Sequence, residues 1–192
     1  MTNETIYAII CLQKLSDNTK GEKIMEYGTI IIGYPGIGKS SLVRKRELDS
    51  NKKNRIYVDL ESSYFSQLGL TPEEWAQAYK DVAEDLVYQG FNVFTSCHYD
   101  VQQALVGSGD VIAVFPSQDL KNEWIAKLHN RAVDTNLAKD KRAKDRAAQF
   151  FDSDIATLKE TCINYRIPFI ELTDMNYNLS EELDKFFSQR SK

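Results

Sequence analysis

The chain has 192 residues, 42% apolar and 11% aromatic, enough for one domain with an ordinary core. A formal net charge of −4 speaks against a broad nucleic-acid footprint, which shows as a basic face and often a basic total. Three widely spaced cysteines without a C-x-x-C pair, and only two histidines, point to free thiols in a reducing compartment and away from a zinc site.

Residues 1–26 contain the short apolar run "IYAIICL" and the polar stretch "LSDNTKGEK", and they read as a peripheral appendage to a domain spanning 27–192. The apolar run is too short for a membrane span, which needs about 18 residues, and it lacks a basic leader; a cytoplasmic protein is expected. "YGTIIIG" then reads as a buried strand and "KSSLVRKREL" as a helix. Between them lies "GYPGIGKS", residues 33–40, a complete G-x-x-x-x-G-K-S phosphate-loop pattern. Glycines let such a loop curl so that successive N–H groups face phosphate oxygens, while the following helix offers its positive end to the same anion. Gly33, Pro35, Gly36, Ile37, Gly38, Lys39, Ser40 and Ser41 are therefore the predicted nucleotide-binding residues. Lys39 would reach the β and γ phosphates and the Ser40 hydroxyl would ligate Mg²⁺.

"RIYVDLE" makes a second strand ending near Asp59. Thr71-Pro72-Glu73-Glu74 then supplies an N-cap, a proline at the first helical position and a glutamate at the third. Trp75, Tyr79, Val82 and Leu86 line one face of that helix and Gly90 closes it. "FNVFTSCH" is a third strand, "VQQAL" a short helix and "DVIAVFPS" a fourth strand. A helix from about Ser117 to Arg131 carries Leu120, Trp124 and Leu128 at a spacing of four. The exposed, charge-alternating "NRAVDTNLAKDKRAKDRAAQ" follows. Ile155, Leu158, Cys162 and Tyr165 mark another amphipathic helix, "IPFIEL" a fifth strand and "LSEELDKFF" a closing helix. Strands alternating with helices predict an α/β domain with an open, mainly parallel sheet that collects ligands at the carboxyl ends of its strands.

Those ends hold Asp59 and Glu61 (second strand), Ser96 and His98 (third), and Pro116 and Ser117 (fourth). Asp59 would lie beside a γ-phosphate, where a carboxylate orients an attacking hydroxyl, accepts its proton or holds a magnesium-bound water; a solvated strand-end acid or turn cap is the alternative. His98 fits either a phosphate contact or a helix cap. Tyr64, Phe65, Trp75 and Tyr79 fit either acceptor stacking or core.

Strand, GxxxxGKS, helix, strand and Asp59-x-Glu61 together resemble the small P-loop kinases, the group of nucleoside-monophosphate, shikimate and gluconate kinases and phage deoxynucleotide and polynucleotide kinases. Several of these carry Asp-x-Asp where this chain has "VDLE". The resemblance covers about residues 27–190. It implies a P-loop NTPase three-layer α/β/α sandwich with five strands in the order 2-3-1-4-5, ATP and Mg²⁺ as cofactors, and a mobile basic lid between the fourth and fifth strands, at about 131–150. It implies catalytic roles for Lys39, Asp59 and the lid residues Arg131, Arg142 and Arg146, metal ligation by Ser40 and Asp59, and an acceptor site at Glu61, Tyr64, Trp75, Ser96 and His98. Asp134, Asp140 and Asp145 interleave with the lid's bases, so a solvated helix with i, i+4 ion pairs fits the same residues.

The expected activity is transfer of the γ-phosphate of ATP to a small acceptor such as a (deoxy)nucleoside monophosphate. An ATP-binding module without transfer and a 5′-hydroxyl polynucleotide kinase are the alternatives. A GTPase switch is disfavoured, since no Asp-x-x-Gly follows the third strand and no Asn-Lys-x-Asp occurs. The third strand also ends without an acid, which argues against motor-type ATPases and shifts magnesium binding onto Ser40 and Asp59.

Overall fold

A computed structural model describes residues 27–47, 55–65 and 69–190. The predicted appendage, residues 1–26, lies outside them. Five strands alternate with helices: β1 (Ile30–Gly33), α1 (Lys39–Glu47), β2 (Tyr57–Asp59), α2 (Ser62–Phe65), α3 (Pro72–Tyr88), β3 (Asn92–Thr95), α4 (Tyr99–Leu105), β4 (Val111–Pro116), α5 (Lys121–Thr135), α6 (Ala138–Asn164), β5 (Phe169–Leu172) and α7 (Leu179–Arg190). All strand pairs are parallel, and the sheet order is β2-β3-β1-β4-β5. This is the α/β architecture of a P-loop NTPase, as expected.

Right-handed crossovers dictate which face each helix covers. The chain moves one way from β1 to β2 and the other way from β2 through β3 and β4 to β5. α1 therefore packs on one face, and α3, α4 and α6 on the other. α7 joins α1, with Leu179 near Gly38 and the Arg55 guanidinium 3.8 Å from the centroid of the Phe187 ring. Covered on both sides, the central strands are buried throughout: Ile30, Ile31, Ile32, Val93, Phe94 and Ile112 through Phe115 form the middle of the core. Among the described residues no helix is long and apolar enough to cross a membrane.

Local chemistry sets the helix ends. Thr71 accepts from the Glu74 N–H at 3.3 Å, and the Glu74 carboxylate accepts from the Thr71 N–H at 3.0 Å, the reciprocal box expected at the start of α3. These bonds hold the Glu74 carboxyl below the ordinary glutamate range. Their contribution is present above the unfolded pKa and is lost as pH falls through the folded one. Thr71→Ala should cost about 1 kcal/mol, read as a lower urea midpoint with an unchanged slope. At the other end Gly90, at φ +89°, lets its own N–H bond Val87 and the Phe91 N–H bond Leu86.

Two predicted elements differ. The helix expected at Ser117 opens instead with a 3₁₀ turn, Gln118–Leu120, capped by the Ser117 hydroxyl, and α5 runs on to Thr135. The charged segment is divided: its first residues complete α5, the chain turns at Asn136, and from Ala138 on it is continuous with the amphipathic helix in the 27-residue α6. Ile155, Leu158 and Cys162 are buried as predicted, whereas Tyr165 is exposed. The buried stripe stops where the helix does: Tyr165 is the C-cap of α6, Arg166 follows at φ +55°, and the Ile167 N–H closes back onto Cys162.

Candidate functional site

The loop after β1 has two residues at positive φ, Gly36 (+88°) and Gly38 (+99°), a conformation that favours glycine. At Gly36 space is restricted too, since an added Cβ would lie 3.0 Å from Leu128 and 3.2 Å from the Trp124 indole nitrogen. Ile37 is buried and pins the loop to the core, and Ser41 is exposed on the first turn of α1. Lys39 folds back over the loop, its ammonium donating to the Gly33 carbonyl at 2.6 Å and to that of Tyr34 at 3.4 Å. Desolvation holds Lys39 below the ordinary lysine pKa, against the pull of Asp59, Cys97 and Glu61.

β2 brings Asp59 to this loop. The Ser40 hydroxyl donates to the Asp59 carboxylate at 2.6 Å across 19 positions of chain. Asp59 is thus neither an isolated solvated acid nor a turn cap. Ser40 and Asp59 present hard oxygen donors to one point, a set that suits Mg²⁺, which takes one or two protein oxygens and completes its shell with phosphates and water. Among the described residues no three His, Cys, Asp or Glu side chains converge as a closed metal cage.

Around this centre the remaining predicted residues separate. Ser96 is half-buried at the end of β3, where its N–H donates to the Tyr79 hydroxyl at 3.0 Å. Tyr79 is fully buried and also donates to the Leu60 carbonyl at 2.6 Å, so it joins the ends of β2 and β3 and has no face left for a ligand. Trp75, half-buried, stacks on it at 5.6 Å between ring centroids. Tyr64 lies in α2, and its side chain is outside the described residues. His98 occupies the N-cap position of α4, yet its side chain makes no capping bond. His98 is exposed by surface area, and its ring is drawn below the ordinary histidine pKa, first by desolvation among its neighbours and then by Arg146. Burial pushes the neighbouring Cys97 thiol up to about 11, so it stays protonated and is no nucleophile.

The predicted lid is a helical hairpin, the end of α5 and the first half of α6, turning at left-handed Asn136. Lys144 pairs with its neighbour Asp145 at 2.9 Å, and the other ion pairs run over longer range than i, i+4. Arg131 bridges to Asp140, which is only 2% exposed and also accepts from Thr135 at 2.6 Å, so this pair fastens the two helices together. Arg131 still lies near enough to Lys39 to depress it. Arg146 meets Asp154, two turns along α6, with bonds of 2.8 and 2.7 Å, and its charge acts on Tyr34, Cys97 and His98 at the ends of β1 and β3. Arg142 is exposed, without an ion-pair partner among the described residues. Sequence reasoning missed Asp154. Had α6 been read as continuous, the i+4 row 146, 150, 154 would have placed it on the face of Arg146.

Lys139 ties the hairpin to the sheet through Glu61, with 3.0 Å between ammonium and carboxylate. Lys139→Ala should speed hydrogen exchange around Asn136 and Leu137 by up to about fivefold, the size expected of a half-exposed ion pair. Glu61→Gln should match it and the double variant add nothing; unchanged exchange would mean the pair does not hold the hairpin.

No protein-family model matches the sequence, and neither does any curated protein. Among solved structures, the chain is similar to one in the structure of the Pnkp1/Rnl/Hen1 RNA repair complex, at TM-score 0.44 and 18% identity, over 75% of this chain and 48% of that one. This chain therefore spans about half the length of that neighbour.

Proposed function

We propose that this protein is an ATP-dependent kinase that moves the γ-phosphate to a small acceptor, a (deoxy)nucleoside monophosphate. One observation carries the reading: Lys39, Ser40 and Asp59 meet at the phosphate loop, with the Ser40–Asp59 bond at 2.6 Å. A bound Mg²⁺ would neutralise charge on the donor phosphates, with Ser40 and Asp59 holding it directly or through water. In this reading Lys39 follows charge onto the transferring group, Asp59 orients the acceptor hydroxyl and takes its proton, and Arg131 and Arg146 supply positive charge from the hairpin.

For the donor's base, the candidate is an open depression of about 660 Å³ along α5, lined by Lys127, Arg131 and Met175 among others. For the acceptor, Trp75 offers an aromatic face near the ends of β2 and β3. The free thiols of Cys97 and Cys162 are compatible with a cytoplasmic setting.

The test is transfer from labelled ATP across nucleoside monophosphates, nucleosides, small sugar acids and a 5′-hydroxyl oligonucleotide. Transfer to nucleoside monophosphates is expected. Transfer only to the oligonucleotide would replace the acceptor, and tight ATP binding with no transfer would leave a nucleotide-binding module.

A further inference from the structure

The phosphate loop is gripped from outside by groups with no part in the chemistry above. The Trp124 indole N–H donates to the Pro35 carbonyl at 2.9 Å, and the Tyr177 hydroxyl donates to the Gly36 carbonyl at 3.3 Å. The two rings stack, 6.0 Å between centroids and 11° from parallel. Lys127 caps the pair. Its ammonium lies 4.5 Å from the Trp124 centroid and 4.8 Å from that of Tyr177, and it donates to the Tyr177 oxygen at 3.0 Å.

The direction of these bonds follows from the donors available. A lysine ammonium only donates, so the Tyr177 oxygen must accept from it, and the hydroxyl proton is left to point at Gly36. A trans peptide sets its N–H opposite its C=O. Fixing the Pro35 carbonyl against Trp124 therefore turns the Gly36 N–H the other way, away from α5. Likewise, the Gly36 carbonyl held by Tyr177 sets the Ile37 N–H, which closes onto Tyr34 at 3.4 Å. Gly36 has φ +88° and no side chain to limit rotation of these two peptides.

We infer that Trp124 and Tyr177, with Lys127 orienting the tyrosine hydroxyl, are positioning residues that preset the peptides of the phosphate loop for a polyphosphate. This rests on the proposed reading of that loop. Preorganised donors bind an anion without first reorienting, so releasing a clamp should weaken phosphate binding without removing any contact to the phosphate itself.

Two conservative variants test it, each keeping an aromatic ring: Tyr177→Phe and Trp124→Phe. Binding of Mg²⁺-tripolyphosphate and of Mg²⁺-ATP is measured by calorimetry, with Tm recorded alongside. Tyr177→Phe should weaken both probes by the same factor, about fivefold, equivalent to about 1 kcal/mol. Trp124→Phe should weaken both at least as much, since its bond is the shorter. Unchanged tripolyphosphate affinity in Tyr177→Phe overturns the inference, whether Tm falls, as for a merely structural role, or ATP binding alone weakens, as for a contact to the nucleoside. A wild type that binds neither probe overturns the phosphate reading of the loop, and the clamp's role falls with it.

Discussion

Lys39→Met should lower phosphate transfer by about 10³-fold or more while the fold stays intact. The first expectation rests on place. The Lys39 ammonium sits against the Gly33 carbonyl at 2.6 Å, and in the proposed reaction it would meet charge developing on the transferring group. Methionine keeps most of the alkyl stem but brings no charge. The second rests on linkage. Desolvation lowers the Lys39 pKa in the folded state, so the protonated lysine opposes folding; that cost applies in full below the folded pKa and fades as pH rises through the unfolded value of about 10.4. Removing the charge removes that cost, which acts against the loss of the hydrogen bonds to Gly33 and Tyr34. Transfer assays and thermal melts at pH 7 check both halves. A Lys39→Met enzyme with wild-type activity would sink the kinase assignment.

Asp59→Asn should lower transfer by at least about 10²-fold while ATP affinity stays within a few-fold. Asparagine keeps an oxygen to accept from Ser40 at the position now bonded at 2.6 Å, so the loop's geometry persists and only the carboxylate charge and basicity are lost. A magnesium titration separates the two roles open to the acid. If Asp59 holds the ion or its water, the variant needs more Mg²⁺ for half-maximal rate. If it acts on the acceptor, kcat falls and the magnesium requirement is unchanged. Ser40→Ala combined with Asp59→Asn should cost much less than the sum of the single effects, because the two side chains act as a unit. Full transfer by Asp59→Asn would remove the strand-two acid from the chemistry.

Much of the site was legible because it depends on neighbours in sequence. The glycines at 36 and 38 fall where the loop turns through positive φ, Lys39 and Ser40 open α1 directly behind them, and Asp59 ends a strand as its pattern implied. The box at Thr71 and the closure at Gly90 were legible for the same reason, since each capping group lies within a few residues of the backbone it satisfies. The aromatics between β2 and β3 were less so. Helical spacing alone does not say whether a ring faces core or ligand, and Tyr79 proved to be a buried brace while Trp75 kept part of its surface.

Charge partners were the least legible. The bases of 131–150 had several acids within a turn, yet Arg131 took Asp140 across the hairpin, Arg146 took Asp154 two turns on, and Lys139 reached Glu61, 78 positions away. The same holds for the clamp on the phosphate loop, where Trp124 and Tyr177 contact carbonyls 89 and 141 positions distant.

By itself, the sequence determined the class of fold, the phosphate-loop turn, the strand-end acid and the helix caps, since hydrophobic period, glycine φ and capping bonds act over a few residues. Tertiary structure alone decided which base meets which acid, that the hairpin is fastened to β2, and what holds the loop's carbonyls. Long side chains have several partners in local reach, and only the packed sheet and its crossovers select among them.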